Sequence, residues 1–355
     1  MSRHPPKPRA HRTPQADPLW MRQWLLRLCE VDSTSGREDA MLPLLRELLA
    51  EDLGAELLTQ EVAAGRTNVL ALWGRPKVLF TTHLDTVPPF LPPRVEPDAI
   101  RGRGTCDAKG QVMAQLEAIR TLLGEGIRGL AWMGVVGEET DSAGAIQALA
   151  WADRLQDLKG LVDGEPTENK LATGQRGVLH LRLQTHGRAA HSGSPELGRS
   201  AIFPLLDWLQ ALRHETGHED PDLGPEVWNL GLLQGGESLN SVPAEAEAHL
   251  FVRTLPDSTF YNRVKALQPP ESEVEVRLSE PPDRYPRLPG FDYAPMPFGS
   301  DAPRLRALVP DGTVVLAGPG SIKVAHTLEE HLAFADLAEG VELNRRLALH
   351  FLHKD

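Results

Sequence analysis

The sequence has 355 residues and a formal net charge of −12, enough chain for two domains of ordinary size, with no basic stripe of the kind that grips nucleic acid. Two cysteines, Cys29 and Cys106, exclude a disulfide framework and suit a reducing cytoplasm. No run of about 18 apolar residues occurs, which excludes a helical membrane span.

Residues 1–18 are rich in Pro, Arg and His and lack an apolar core, which predicts a disordered tail rather than a secretory signal. Trp20, Trp24, Leu25 and Leu28 then recur at helical spacing and predict a helix over 19–31. Asp32-Ser33-Thr34-Ser35-Gly36 breaks it, and a second helix is predicted over 38–53, followed by paired strands over 57–62 and 68–73. The apolar run Val78-Leu79-Phe80 reads as a buried strand that ends in Thr81-Thr82-His83-Leu84-Asp85-Thr86-Val87-Pro88. In α/β folds sites are built at the carboxyl ends of strands. A histidine there can ligate a metal through one ring nitrogen while a carboxylate holds the other N–H.

A Pro-rich loop, 88–97, leads to Gly102-Arg103-Gly104-Thr105-Cys106-Asp107-Ala108-Lys109-Gly110, and a helix follows over 111–123. A buried strand over 131–136 ends in Gly137-Glu138-Glu139-Thr140-Asp141, and 142–155 reads as helical. A short strand at 161–162 ends in Asp163-Gly164-Glu165-Pro166-Thr167. The texture changes near Gly174: 177–185 alternates apolar and polar residues like a half-exposed antiparallel strand. A helix over 200–213, strands over 227–234 and 244–253, a helix over 258–267 and a strand over 274–278 complete a β-α-β-β-α-β order. From Tyr285 the pattern returns to the first type, with a helix opened by Gly299-Ser300-Asp301-Ala302, a strand over 313–316, Gly318-Pro319-Gly320, His326 and a closing helix over 332–350.

The predicted fold is therefore α/β: a larger domain with a mixed central sheet flanked by helices, interrupted by a small inserted α+β domain. Its divisions are a tail at 1–18, segments of the larger domain at 19–173 and 282–355, and the insertion at 174–281, with hinges at both flanks.

Five potential metal ligands sit at strand ends or in the turns that follow: His83, Asp107, Glu139, Glu165 and His326. Two zinc ions about 3.5–4 Å apart need a shared carboxylate and one His and one acid each. Asp107 as the bridge, with His83 and Glu165 on one ion and Glu139 and His326 on the other, meets that count. Glu138 is left beside a ligand, where a general base belongs, and Asp85 is left to orient His83. Asp163 competes with Glu165, and Cys106 adjoins Asp107 as a potential thiolate ligand that reads better as a buried, inert thiol. His214-Glu215-Thr216-Gly217-His218 matches H-E-x-x-H, but Gly217 and Asp220-Pro221 mark a helix end, whereas that motif needs both histidines on one helical face. Gly318-Pro319-Gly320 reads as a turn rather than a nucleotide loop, and no G-x-S-x-G elbow is present.

The set T-H-L-D-T-V-P, G-R-G-T-C-D-A-K-G, G-E-E, G-E-P-T and G-P-G-S-x-x-x-A-H resembles the dizinc amidohydrolase and peptidase family of acetylornithine deacetylase, succinyl-diaminopimelate desuccinylase, aminoacylase and carboxypeptidase G. The resemblance covers residues 19–355. It implies metal ligation by His83, Asp107, Glu139, Glu165 and His326, acid–base work by Glu138 and an orienting role for Asp85. It also implies that His191, in Gly187-Arg188-Ala189-Ala190-His191-Ser192-Gly193, reaches the active site of a partner subunit to steady an oxyanion, and that Asn240, Arg253 and the segment with Ser300 contact substrate. The resemblance likens 174–281 to the family's lid and dimerisation domain and the rest to its catalytic domain; two Zn2+ are implied as cofactors, with Co2+ or manganese suited to the same ligands, and a homodimer formed through the lid.

The implied reaction is amide hydrolysis of a small N-acyl amino acid. G-T-C-D and G-P-G-S-x-x-x-A-H are worded most like acetylornithine deacetylase of arginine biosynthesis. Succinyl-diaminopimelate desuccinylation, release of lysine or ornithine from a carrier protein, and dipeptidase or carboxypeptidase action are the alternatives within the family. A binding protein that keeps the fold without chemistry is the alternative outside it; a missing Glu138 or ligand would signal it, and all are present.

Overall fold

The computed structural model describes residues 17–353. The expected tail at 1–18 thus falls mostly outside the described residues, and its last two residues do something else. Asp17 caps the helix Pro18–Glu30 by accepting from the Leu19 and Trp20 N–H groups, and Pro18 opens that helix, where its missing N–H is harmless.

The chain divides into two compact units. One takes in the described residues up to Leu171 and from Arg304 onward; the other is Ala172–Pro303.

The first unit is built on a six-stranded sheet in the order Glu56–Ala63, Arg66–Trp73, Leu130–Val135, Val78–His83, Gly160–Asp163, Thr313–Leu316. The first three strands pair antiparallel and the last four run parallel, so the sheet is mixed. Val78–His83 and Leu130–Val135 are buried at every position, which is why their apolar runs are continuous rather than alternating. The helix Lys109–Gly124 packs against the closing helix Phe334–Leu352 and against Pro18–Glu30, and the first two of these helices also meet the strand Val78–His83.

The expected helix at 38–53 is a run of three pieces: a 3-10 turn Glu38–Met41, an α segment Leu42–Arg46 and a π segment Glu47–Asp52. Pro43 cannot donate to a carbonyl four residues back, so the regular helix starts only at Leu42. The Pro-rich loop also holds more order than its composition suggests. Arg94–Val95, Ala99–Arg101 and His331–Ala333 form a three-stranded antiparallel sheet.

The second unit contains a four-stranded antiparallel sheet in the order Val227–Gly235, Glu245–Thr254, Gly177–His186, Ser272–Glu280. With the helices Ile202–His214 and Phe260–Ala266 this is the expected β-α-β-β-α-β sequence. Burial alternates along both central strands. Leu181, Leu183, Ala248, Leu250 and Val252 face one side and pack with Leu205, Trp208, Phe260 and Val264 of the two helices. Each buried leucine, valine or phenylalanine among them contributes about 1.5–3 kcal/mol by leaving water. The expected hinges differ from the structure. Leu171–Gln175 is a buried strand between Asp283–Arg284 and Tyr293–Met296. The ladder Gln175↔Asp283, Gly174↔Arg284 explains why residues 282–303, expected in the larger domain, cluster with the second unit.

Among the described residues no helix is long and apolar enough to cross a membrane. Cys29 and Cys106 are both free and buried.

Candidate metal centre

Three parallel neighbours in the first sheet end side by side. Val78–His83 delivers His83, Leu130–Val135 leads into the turn with Glu138 and Glu139, and Gly160–Asp163 leads to Glu165. Asp107 arrives just ahead of the helix Lys109–Gly124, and His326 follows the next parallel strand, Thr313–Leu316.

The five sequence-predicted ligands meet. His83 Nε2 lies 2.8 Å from Asp107 Oδ1, and His326 Nε2 lies 3.2 Å from Asp107 Oδ2 and 2.9 Å from Glu139 Oε1. Asp107 thus turns one oxygen to each histidine. Candidate ligand atoms gather within 4.8 Å in three overlapping sets: His83 with Asp107 and Glu165, Asp107 with Glu139 and His326, and His83 with Glu138 and Glu139. Asp163 and Cys106 belong to none of them. The Cys106 thiol donates to the Ser321 carbonyl, and burial pushes its pKa well above the usual range.

Asp85 lies against His83 and has a further task. His83 Nδ1 is 2.9 Å from the Asp85 backbone carbonyl and 3.6 Å from its Oδ1, so the carbonyl is the nearer partner that orients the ring. With Nδ1 donating there, Nε2 is the atom left to bind a metal. The Asp85 carboxylate also gathers the turn that carries the two glutamates. It accepts from the N–H groups of Gly137, Glu138 and Glu139 at 3.0, 3.1 and 3.2 Å, and from Ser35 Oγ at 2.8 Å. Nothing in the sequence ties Ser35 to Asp85; the contact exists only in the fold. Arg66, doubly bonded to Asp141, lies over the same turn. Gly137 in this turn holds φ +77°, a backbone conformation that strains any residue with a Cβ.

Two imidazoles face four converging carboxylates, those of Asp107, Glu138, Glu139 and Glu165. The electrostatics register the excess negative charge. Burial pushes Glu165 well above the carboxylate range and raises Glu139 against the hydrogen bond from His326. Burial would raise Asp107 too, but hydrogen bonds from His326 and His83 win and hold it below its usual range. Its bonds to Asp107 and then Glu139 lift His326 to about 10. Burial opposes charge on His83, yet its bonds to Asp107 and Asp85 raise it well above normal. Divalent cations would supply the charge that these acids otherwise take from protons, and mixed nitrogen and oxygen donors suit zinc, cobalt or manganese. The residues present fit a metal site.

His326 holds φ +63°, a conformation unfavourable for a residue with a Cβ, and no signal in the sequence announces it.

The remaining predicted residues lie in the second unit. His191 is exposed, bridges Ser241 and accepts the Gly193 N–H through Nδ1 at 3.0 Å, while the Ser192 N–H donates to the Asn240 carbonyl, which puts His191 and Asn240 on one loop pair. Arg253 lies in the strand Glu245–Thr254 with its guanidinium 5.2 Å from the Phe251 ring centre. Ser300, expected toward substrate, is buried, and its hydroxyl donates to Gln175 Oε1 at 2.8 Å, so it reads as part of the packing around Gln175. The H-E-x-x-H match is also resolved. The helix Ile202–His214 ends at its first histidine, Glu215 is extended at ψ 141°, and His218 Nε2 lies 3.1 Å from the Pro256 carbonyl.

Residues 173–268 match the model of a peptidase dimerisation domain. A peptidase M20 domain-containing protein of Schizosaccharomyces pombe is 36% identical over 340 residues, covering 92% of this chain and 83% of its own length. A probable carboxypeptidase of Aspergillus clavatus is 34% identical, covering 88% and 78%. Among solved structures, a tripeptidase from Staphylococcus aureus superposes with a TM-score of 0.77 at 22% identity, covering 95% of this chain and all of its own. An M20 family metallo-carboxypeptidase from Sulfolobus solfataricus superposes with 0.69 at 17%, covering 93% and 99%. At such identities the structural likeness concerns the fold.

Proposed function

The chain belongs to the M20 peptidase family and is a metal-dependent, carboxypeptidase-like hydrolase; from that premise we propose that it cleaves the amide bond between an acyl or peptidyl group and a residue with a free α-carboxylate. The observation that carries this reading is Asp107, whose two oxygens face different histidines while Glu138, Glu139 and Glu165 gather around them.

We assign His83 and Glu165 to one Zn2+, Glu139 and His326 to a second, and Asp107 to both, with Co2+ as a competent substitute. Bound there, such ions would supply Lewis acidity toward the scissile carbonyl and toward water. The chain's own groups do the rest. Glu138, fixed by its backbone N–H to Asp85, takes the proton of the attacking water and returns it to the leaving amine. His191 is assigned to the active site of a partner copy, where it steadies the oxyanion as the carbonyl carbon becomes tetrahedral. Arg253 clamps the substrate carboxylate in a fork, with Asn240 beside it. The exposed apolar residues Leu230, Leu232 and Leu233 on the edge strand Val227–Gly235 support a homodimer formed through the second unit.

A second reading is favoured by the wording of Gly104-Thr105-Cys106-Asp107 and of Gly318 to His326: deacetylation of N-acetylornithine. One experiment addresses both. Chelator-treated protein, with and without added zinc or cobalt, is offered dipeptides with free and amidated carboxyl termini, N-acetylornithine and N-succinyl-diaminopimelate. The first reading expects metal-dependent release of the carboxyl-terminal amino acid and at least a hundredfold preference for the free carboxylate. Equal cleavage of the amidated peptide would sink the carboxylate clamp, and turnover confined to N-acetylornithine would favour the second reading.

A further inference from the structure

Glu330 is a carboxylate that the proposed chemistry does not use, and it is almost completely buried. The short sheet explains how it gets there. His331–Ala333 pairs antiparallel with Ala99–Arg101, which lays the residue just before that strand against the loop 102–107. The Gly102 N–H donates to the Glu330 backbone carbonyl at 3.0 Å. The loop then curls round the side chain. Glu330 Oε1 accepts from the N–H groups of Gly104, Cys106 and Asp107 at 2.9, 3.2 and 3.2 Å, and Oε2 accepts from Arg103 Nη1 at 2.6 Å.

Arg103 is buried with it, and its other bonds run outward. Nη1 also donates to the Thr327 carbonyl, and Nε to the Pro89 carbonyl, both at 3.3 Å. The pair therefore ties together three segments: the loop that ends in Asp107, the residue after His326, and the loop that follows Asp85. Two of these segments carry Asp107 and His326, which meet at 3.2 Å.

A buried carboxylate close to a cluster already rich in negative charge is unfavourable on electrostatic grounds. The fold keeps it in a cradle of three N–H groups and one guanidinium, which is the arrangement that makes a buried charge tolerable. Its geometric effect is specific. One of its partners is the peptide N–H of Asp107 itself, so Glu330 holds the backbone from which the Asp107 side chain projects.

We infer that Glu330, paired with Arg103, is a positioning residue that holds Asp107 between His83 and His326 and thereby sets the affinity of the cluster for metal. The inference rests on reading that cluster as a metal site. Partners that orient metal ligands change affinity by about 10–100-fold when lost.

Two variants separate positioning from simple charge. Glu330→Gln keeps an oxygen for the loop N–H groups but turns an N–H toward Arg103. Arg103→Gln removes a positive charge near the cluster. A pure field effect predicts weaker cation binding in the first and tighter binding in the second. Positioning predicts weaker binding in both, and a double variant no worse than the weaker single. The measurement is zinc titration of the metal-free chain against a chromophoric chelator, with the melting temperature of the metal-free protein recorded beside it. Leu347→Ala, a cavity in the closing helix, serves as a control for destabilisation alone.

The expected result is a 10–100-fold weaker zinc affinity in both charge variants and an affinity within about twofold of wild type in Leu347→Ala. Unchanged affinity in Glu330→Gln, tighter binding in Arg103→Gln, or an equal loss in Leu347→Ala would each overturn the proposal. If Glu330→Gln does not fold, the direction of the Arg103→Gln change decides. A wild-type chain that takes up no zinc ends both this inference and the metal reading, whereas wild-type binding with unaffected variants ends this inference alone.

Discussion

The two units use burial in opposite ways. In the second, the core is apolar: leucines of the sheet pack on leucines, Trp208 and Phe260 of the helices, while His191 and Asn240 sit exposed on loops. In the first, the sheet ends carry buried polar groups in unusual number, among them His83, Asp85, Asp107, Glu165, Arg103 and Glu330. A buried charge is stable only when its partners are in place, so a site built this way is held rigidly and tolerates little change. Exposed loop residues are held by few contacts and can adapt. The comparison teaches that the first unit buries polar groups held by many partners, and the second buries an apolar core that leaves its polar loops exposed.

That contrast can be broken at several levels of effect. The largest is expected at Glu138→Gln, where turnover should fall by about 10²–10⁴-fold while metal content and melting temperature stay near wild type. Retained turnover would end the acid–base assignment and revive the reading of a binding protein. Next comes the apolar half. Leu250→Ala leaves a cavity under the second sheet and should destabilise that unit by about 2–5 kcal/mol. Hydrogen exchange should show the loss within 172–303, with zinc affinity unchanged; a parallel fall in zinc affinity would mean that the units are not energetically separate.

The smallest effect concerns pH. His180 has its pKa lowered, first by burial and then by His249, whose Nδ1 lies 2.9 Å from His180 Nε2. The unfolded chain therefore binds this proton more readily than the folded one. The associated stability is complete above the unfolded value of about 6.5 and is lost as pH falls below it toward the folded value. Melting temperature followed from pH 7.5 to 5 should fall less in His180→Gln than in wild type, and identical slopes would remove His180 from the account.

Much of this was legible without coordinates. The strand 313–316, the closing helix and the β-α-β-β-α-β order of the insertion follow from apolar periodicity, because a sheet or helix face must be covered wherever it lies. His83, Glu139 and Glu165 could be picked out because parallel strands present their carboxyl ends together, so polar residues just after buried runs converge. These are local properties, and local properties are written in order along the chain.

Tertiary structure alone decided the rest. It made a strand of Leu171–Gln175, whose composition resembled a hinge, because Asp283–Arg284 comes back to pair with it. It set the Asp85 carboxylate, 3.6 Å from His83 Nδ1, to gather the Glu138 turn as well, and withdrew Ser300 into packing around Gln175. Above all it joined Glu330 to Gly104, Cys106 and Asp107, more than 220 residues away. The side chain of a charged residue carries no periodic signature, and its partner is chosen by where the chain returns; sequence determined which groups could do the chemistry, and the fold determined which groups hold them still.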